Sequence, residues 1–429
     1  AADGPLAPPE ALAGVAEAAD RLARAVRGGE PIAVHGDYDC DGVCSSALLV
    51  GALRARGGRV SAFLPSRFDD GYGVSVATVE SLASEGARVL VCVDCGTGAV
   101  EPLTRAVELG MEPIVLDHHL AAGRRPPGIL ANPALGRPDD DLPAAAGVVH
   151  MVIRALSARL DGGVLAPPPD DGVDLVALAT VADAVPLLGD NRRLVARGLR
   201  AMRERPRPAI AALCDAAGVE PRTLTARSLG FTLAPCVNAA GRLAHAGRAL
   251  ELILAPDRES ADPIARELWE LNRERQDLER AITEEAIAQV EAEPERIREA
   301  DAVVAAGDGW HEGVVGIVAS RLVERFARPA IVLARDGGRA KGSGRSLPGV
   351  DLHALVGSAA APLTRWGGHA GAVGLELPAA AVRRFRDEFL RAAAGARAAI
   401  ARARVARADA VVGGRDLSLP TAEALEALA

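Results

Sequence analysis

Aromatic side chains are nearly missing from this chain: 3% of its 429 residues, with two tyrosines, three tryptophans and six phenylalanines. Its cores must therefore be built from Ala, Val and Leu, which the hydrophobic content of 49% supplies. Lysine is scarcer still, since Lys341 is the only one and all other basic side chains are arginine. In a composition drifted towards Ala and Arg, the residues that resisted the drift, Lys341, Tyr38 and Tyr72, all fall in motif-like loops. No apolar run reaches membrane-spanning length, and the first thirty residues lack the charged start and apolar centre of a signal peptide, which together read as cytoplasmic. The six cysteines do not form the dense pattern of a secreted scaffold. No GxxxxGK[ST] loop exists, which excludes nucleotide hydrolysis by that route. A net charge of −8 argues against a protein that coats nucleic acid non-specifically, while a local basic groove stays open.

The length allows two or three domains. After a helical stretch at Glu10–Arg27, strand-like and helix-like segments alternate: Ile32–His35, Val43–Arg54, Arg59–Leu64, Ser75–Ser84, Arg88–Val93, Ala99–Glu108 and Pro113–Leu116. Such alternation predicts an α/β fold with a parallel sheet and helices on both faces. Helical patterns follow at Pro143–Leu160 and Val173–Leu187, the second carrying Asp183 on a buried-looking helix, and Ala234–Leu243 reads as a loop bringing Asn238 and Arg242. An amphipathic helix from Pro263 to about Ala292, about 45 Å long, is expected to connect two lobes. A second, smaller α/β pattern then runs from Ala302 to Ala394, with glycine-rich loops at 307–313, 341–346 and 367–369.

Chemistry gathers where the first strands end. The first runs into Asp37-Tyr-Asp39-Cys-Asp41, the third into Asp94, the fourth into Asp117-His118-His119, and the second into the polar loop Pro65–Gly73, which holds Arg67 and Tyr72. Carboxyl edges of parallel strands are where ligands bind. Carboxylates so crowded repel one another unless a cation sits among them. Asp39, Asp41, Asp94, His118 and Asp183 offer oxygen and imidazole without thiolate, a set suited to Mn²⁺ or Mg²⁺ and to two-metal displacement at phosphorus. An aspartate at a strand end also caps helices, which explains any one of them but not the whole set. His35 is either a further ligand or the end of a core strand. His119 orients His118, assists a departing group, or serves only as a hydrogen-bond partner. Cys40/Cys44 and Cys92/Cys95 have the look of a four-cysteine zinc site, but they interleave with the aspartates and read better as small buried hydrophobes. In the second lobe His311, Lys341, Arg345 and His369 sit in glycine-rich loops, where backbone and guanidinium approach an anion closely.

These stretches resemble the four motifs of the DHH phosphoesterases: GDYDCDG around Asp39 and Asp41, Val93-Asp-Cys-Gly96, Asp117-His118-His119, and Asp183. WHEGVVGIVASR, KGSGRS and GGHAGAVG are similar to the DHH-associated domain, and PSRFDDGYG, VNAAGRL and LNRERQ to the RecJ branch, the single-strand-specific 5′-to-3′ DNA exonucleases. The resemblance runs from Gly29 to Leu375. It implies a two-Mn²⁺ hydrolase with Asp39, Asp41, Asp94, His118 and Asp183 as ligands, Asp94 bridging, and His35 possible because pyrophosphatase-like members carry a ligand there. Asp37, Asp117 and His119 would support catalysis. Asn238, Arg242, His311, Ser343, Arg345, Gly368 and His369 would contact the phosphates of a strand threaded between the lobes, with Arg67, Tyr72 and Lys341 also facing substrate. The implied domains are a DHH domain over 1–255, a connecting helix over 256–297, a DHH-associated domain over 298–396, and over 397–429 the start of a C-terminal barrel region of which this sequence holds no more. Losing the barrel's phosphate contacts would leave a weak, salt-dependent grip on long strands. The implied activity is exonucleolytic hydrolysis of single-stranded DNA in repair and recombination, with a single-strand-binding protein or helicase as partner. Two other readings are a DHH phosphodiesterase of short oligoribonucleotides or cyclic dinucleotides, and a non-catalytic replisome scaffold.

Overall fold

The computed structural model describes residues 4–68, 73–120, 123–135, 142–162, 171–292, 300–404 and 411–426. The chain divides into two units, residues 1–272 and 273–429. In the first unit, helix α1 (Val15–Gly28) precedes β1 (Ile32–His35), α2 (Cys40–Arg54), β2 (Val60–Phe63), α3 (Val76–Ser84), β3 (Val89–Val93), α4 (Val100–Glu108), β4 (Glu112–Leu116) and β5 (Ile129–Ala131). All pairings are parallel and the strand order is β2-β1-β3-β4-β5. Alternate strand residues face opposite sides. Ile32, Val34, Val89, Val91 and Val93 join a large core with α1, α2 and the later helices, whereas Ala33, Leu90 and Cys92 pack with Val79, Leu82 and Leu103 of α3 and α4. The sheet is thus covered by helices on both faces, as the alternation of segments predicts. The fifth strand has only three residues and no alternating pattern, and sequence periodicity does not reveal it.

Further helices complete the unit: α5 (Ala145–Leu160), α6 (Val173–Ala182), α7 (Gly189–Glu204), α8 (Pro208–Ala217), a single turn α9 (Ala226–Ser228), α10 (Ala234–Leu243) and α11 (Gly247–Ile253). Two expectations are corrected here. Ala234–Leu243 is a helix, not a loop: Pro235 stands in its first turn, where proline is tolerated, and a π turn at Leu229–Leu233 leads into it. Helix α6 ends before Asp183, which is its C-cap and not an interior residue. The fully buried carboxylate on α6 is Asp174, which Arg207 pairs through two nitrogens. An ion pair there offsets the several kcal/mol that a lone buried charge costs.

Helix α12 (Arg258–Glu291) contains the division between the units, and Pro263 lies inside its second turn. The second unit carries β6 (Val303–Asp308), α13 (Val315–Phe326), β7 (Ala330–Asp336), β8 (Arg339–Arg345), α14 (Leu352–Ser358), β9 (Arg365–Gly368), β10 (Ala372–Pro378) and α15 (Val382–Gly395). Its sheet is mixed, in the order β6-β7-β8-β10-β9, with only β6 and β7 parallel. Among the described residues no helix is long and apolar enough to cross a membrane.

The stretch Arg339–Arg345, expected as a strand over 339–343 running into a glycine-rich loop at 341–346, is a central strand to its end. Its glycines occupy the buried alternate positions because the neighbouring chain leaves no room for a side chain. A Cβ on Gly342 would stand 2.2 Å from the Val332 carbonyl oxygen. Lys341, Ser343 and Arg345 then fall together on the half-exposed face. Gly342→Ala should therefore cost about 2 kcal/mol in urea unfolding through overpacking, while Gly374→Ala, which meets open space, should be neutral or stabilising.

Candidate metal centre

The carboxyl edge of the first sheet collects the ionisable groups. β1 leads into Asp37, Asp39 and Asp41, β3 into Asp94, β4 into Asp117, His118 and His119, and β5 into Asn132. The Asp39 carboxylate caps α2, accepting from the amides of Asp41 (2.9 Å) and Gly42 (3.1 Å). Capping and ligation are compatible here, since one oxygen does each. Asp41, on the first turn of α2, is gripped by the first amides of α5, Ala145 (2.7 Å) and Ala146 (2.9 Å), and by Ser45 (3.2 Å). A helix N-terminus suits an anion, so α5 aims Asp41. Asp94 has φ +59°, and Ala184, next to Asp183, has φ +57°. Asp tolerates the left-handed region better than most residues; Ala does not, and backbone strain of this kind gathers at functional sites.

Three overlapping clusters result, each with ligand atoms within 4.8 Å of one another: Asp94, His118 and His119; Asp41, His118 and Asp183; Asp37, Asp39 and Asp94. Asp94 and His118 each belong to two. His118 Nε2 lies 3.3 Å from Asp94 Oδ1, 3.7 Å from Asp183 and 3.9 Å from Asp41. Neither Asp94 Oδ1 nor His118 Nε2 has a hydrogen-bond partner among the described residues, and both atoms are buried. Orphaned buried polar atoms facing one another fit a shared cation.

The electrostatics agree. Burial, then the charges of Asp183 and Asp39, push the Asp41 carboxyl up to about 8. Burial and Asp39 do the same to Asp37, also to about 8, and Asp94 is raised well above its ordinary range by burial and then Asp41. Asp183 rises to about 6, again through burial first. Burial lowers His118 to about 4, so it is neutral and able to ligate at physiological pH. Asp117 differs from its neighbours. Although burial opposes its charge, its bonds to His119 Nδ1 (2.8 Å), Thr97 Oγ1 (2.6 Å) and the amides of Thr97, His118 and His119 hold it at about 2. In return Asp117 outweighs burial at His119 and raises that imidazole to about 9.

Of the other expected residues, Asn238 does not point away from the turn: its Oδ1 accepts from the Cys40 amide (2.8 Å), tying α10 to the start of α2. Gly241 lets α10 approach, since a Cβ there would meet the Tyr38 carbonyl oxygen at 2.5 Å. Arg67 donates to the Gly241 carbonyl (3.2 Å) and lies 4.1 Å from the centre of the Tyr38 ring. The charge of Arg242 also reaches the Tyr38 hydroxyl. Tyr72 lies outside the described residues. His35 is fully buried and stands outside the three clusters, its Nδ1 3.6 Å from Cys95 Sγ and its ring against Phe63. All six cysteines are buried free thiols, and none joins a ligand cluster among the described residues. Thr97, Asn132 and Ser45 escaped sequence reasoning. Asn132 donates to Thr97 Oγ1 (2.8 Å) and to the His119 carbonyl (2.9 Å), a role that only the missed strand β5 would have announced.

In the second unit, Ser343 and Arg345 stand beside the first turn of α13, where a Cβ on Gly316 would be 3.1 Å from Arg345 Nη2 and 3.4 Å from Ser343 Oγ. Lys341 pairs with Glu312 at 2.9 Å. His311 and His369 each accept at Nδ1 from the backbone amide two residues on, Gly313 and Gly371, at 3.1 Å. Gly368 ends β9 with φ +142°.

Residues 31–180 match the DHH family, N-terminal domain, and residues 299–395 the DHHA1 domain. The single-stranded-DNA-specific exonuclease RecJ of Bacillus subtilis is 37% identical over 388 residues, covering 89% of this chain and 48% of that protein. The Thermus thermophilus enzyme of the same name is 38% identical over 375 residues, covering 87% and 54%. The chain therefore spans about half the length of these curated relatives. A crystal structure of exonuclease RecJ bound to manganese superposes with a TM-score of 0.79 at 37% identity, covering 89% of this chain and 95% of that one.

Removing one repelling carboxylate tests the cluster. A folded-state pKa raised from 3.8 to about 8, as for Asp41 and Asp37, gives stability that is present below pH 4 and lost as pH rises through 8. Asp94→Asn keeps the left-handed backbone acceptable. It should raise the Tm of the metal-free protein more at pH 8 than at pH 5, and should abolish the Tm increase that Mn²⁺ gives the parent.

Proposed function

The chain belongs to the RecJ family of DHH phosphoesterases, and on that footing we propose that it is a metal-dependent exonuclease hydrolysing phosphodiester bonds of single-stranded DNA from the 5′ end. The observation that carries this reading is the orphaned pair Asp94 Oδ1 and His118 Nε2, 3.3 Å apart among buried carboxylates. Asp39, Asp41, Asp94, His118 and Asp183 would hold two Mn²⁺ or Mg²⁺ ions, with Asp94 shared and Asp37 close enough to join. Such ions supply Lewis acidity and a nucleophilic water at neutral pH.

The chain's own residues do the rest. Asp117, fixed by Thr97 and the β4 turn, keeps His119 protonated, so that its imidazolium stands at the rim to neutralise charge growing on the phosphate and to give a proton to the departing oxygen. The amides of α5 hold Asp41 rigid, and Asn238 holds the turn that bears Asp39 and Asp41. Arg67 and Arg242 bring cations beside that turn. In the second unit, Ser343 and Arg345 beside the first turn of α13 suit a phosphate, with His311, Gly368, His369 and Lys341 in the adjoining segments. Single strands of this kind arise where duplex is opened in the cytoplasm, so a single-strand-binding protein or a helicase is the fitting partner. The full expected ligand set is present, which disfavours a non-catalytic scaffold.

With Mn²⁺, the protein should shorten a 5′-phosphorylated dT20 strand and leave a blunt duplex intact. Cleavage of a dinucleotide alone would replace this reading with an oligonucleotide phosphodiesterase, and inertness on all three would favour a scaffold. His119→Gln should lower kcat on the strand about 100-fold with KM near that of the parent, as loss of an acid acting in the transition state requires.

A further inference from the structure

In a chain with six phenylalanines, one is held largely in water: Phe231 is 73% exposed. It sits in the π turn Leu229–Leu233, and π turns mark functional segments more often than chance. The segment around it is a continuous helical rod from α9 through the π turn to α10. Leu229, Leu233, Ala234, Cys236, Val237, Ala239 and Ala240 form its buried side. Its accessible side carries Arg227, Phe231, Pro235, Asn238 and Arg242, at steps of four, four, three and four residues, which is one helical stripe.

One end of the stripe is the metal centre, because Asn238 holds the Cys40 amide between Asp39 and Asp41. The other end is Arg227, whose guanidinium lies 5.2 Å from the centre of the Phe231 ring. The turn is braced on the metal-bearing scaffold as well: a Cβ on Gly230 would stand 3.3 Å from Val181, two residues before Asp183. Nothing in the buried core explains an exposed phenyl ring on this stripe. Cations at both ends and an aromatic face between them are the composition by which single strands are held without regard to sequence, phosphates on the arginines and a base on the ring.

We propose that Arg227 and Phe231 form a base-stacking subsite for the single strand, continuing the stripe that begins at Asn238 and Arg242. The inference rests on the reading of the chain as a single-strand exonuclease. Seven residues from Asn238 to Phe231 span about 10 Å. At roughly 3.4 Å per stacked nucleotide that places the ring about three nucleotides from the metal centre. The subsite stacks any base and reads none.

The test is binding of fluorescent 5′-phosphorylated dT20 by anisotropy with EDTA present, run beside hydrolysis of the same strand with Mn²⁺. Phe231→Ala should weaken binding about tenfold, and Phe231→Trp should restore it. A dT20 strand with abasic sites at nucleotides three to five should bind parent and Phe231→Ala alike. Equal dT20 binding by parent and Phe231→Ala overturns the subsite; so does a difference that persists on the abasic strand, which would mark a structural residue or a face meant for another protein. A parent that binds dT20 with the stacking pattern but never hydrolyses it retains the subsite and loses the exonuclease reading. Hydrolysis without a stacking effect does the reverse.

Discussion

Everything at the centre of the first unit follows from crowding negative charge where water cannot reach it. Asp37, Asp41 and Asp94 are buried at one sheet edge, and each is held near its neighbours by backbone that the fold has already committed. Left alone, such carboxylates answer by taking up protons, which is why their pKa values climb. A divalent cation answers the same repulsion without protons, and at neutral pH it competes with them for the same oxygens. The neutrality of His118 and the protonated state of His119 are parts of the same balance, one emptied of charge by burial, the other given charge by Asp117.

That crowding of charge dictates what surrounds it. The amides that begin α5 and the side chain of Ser45 fix Asp41 without neutralising it. Asp117 spends its oxygens on Thr97 and the β4 turn and lies outside the three clusters; it shapes His119 instead. Two non-glycine residues take left-handed backbone at or beside the carboxylate clusters, Asp94 and Ala184, strain that a helix-covered parallel sheet is stiff enough to hold. The second unit solves a different problem. It carries cations on one face of a strand by reserving the other face for glycines packed against β7 and β10, so that the phosphate-suited side chains are aligned by sheet register and not by loop conformation.

Much of this was readable in advance. The alternation of strands and helices, the chemistry at the ends of β1, β3 and β4, and the choice of hard oxygen and imidazole donors all lie in local sequence. Where local reading went astray, a tertiary reason can be named. KGSGRS reads as the end of a strand passing into a loop because glycine is usually a breaker, yet the strand runs on to Arg345 and its glycines are demanded by the Val332 backbone and its neighbours. VNAAGRL reads as a loop for the same reason, and is a helix whose glycine permits contact with Tyr38. Asp183 looks like a lone carboxylate on a buried helix because the sequence does not say where α6 stops; the helix's fully buried charge is Asp174, whose partner Arg207 is 33 residues away.

The sequence by itself determined the fold class and the kind of site, because both depend on residue type and short-range spacing, which are local quantities. Only the tertiary structure decided which oxygen faces which nitrogen: that Asp94 and His118 are shared between clusters, that Asn132 reaches Thr97 and the His119 carbonyl, that His35 Nδ1 lies beside Cys95, and that Asn238 meets the Cys40 amide. Those are distances between atoms brought together by packing from separate strands and helices. No spacing along the chain encodes them.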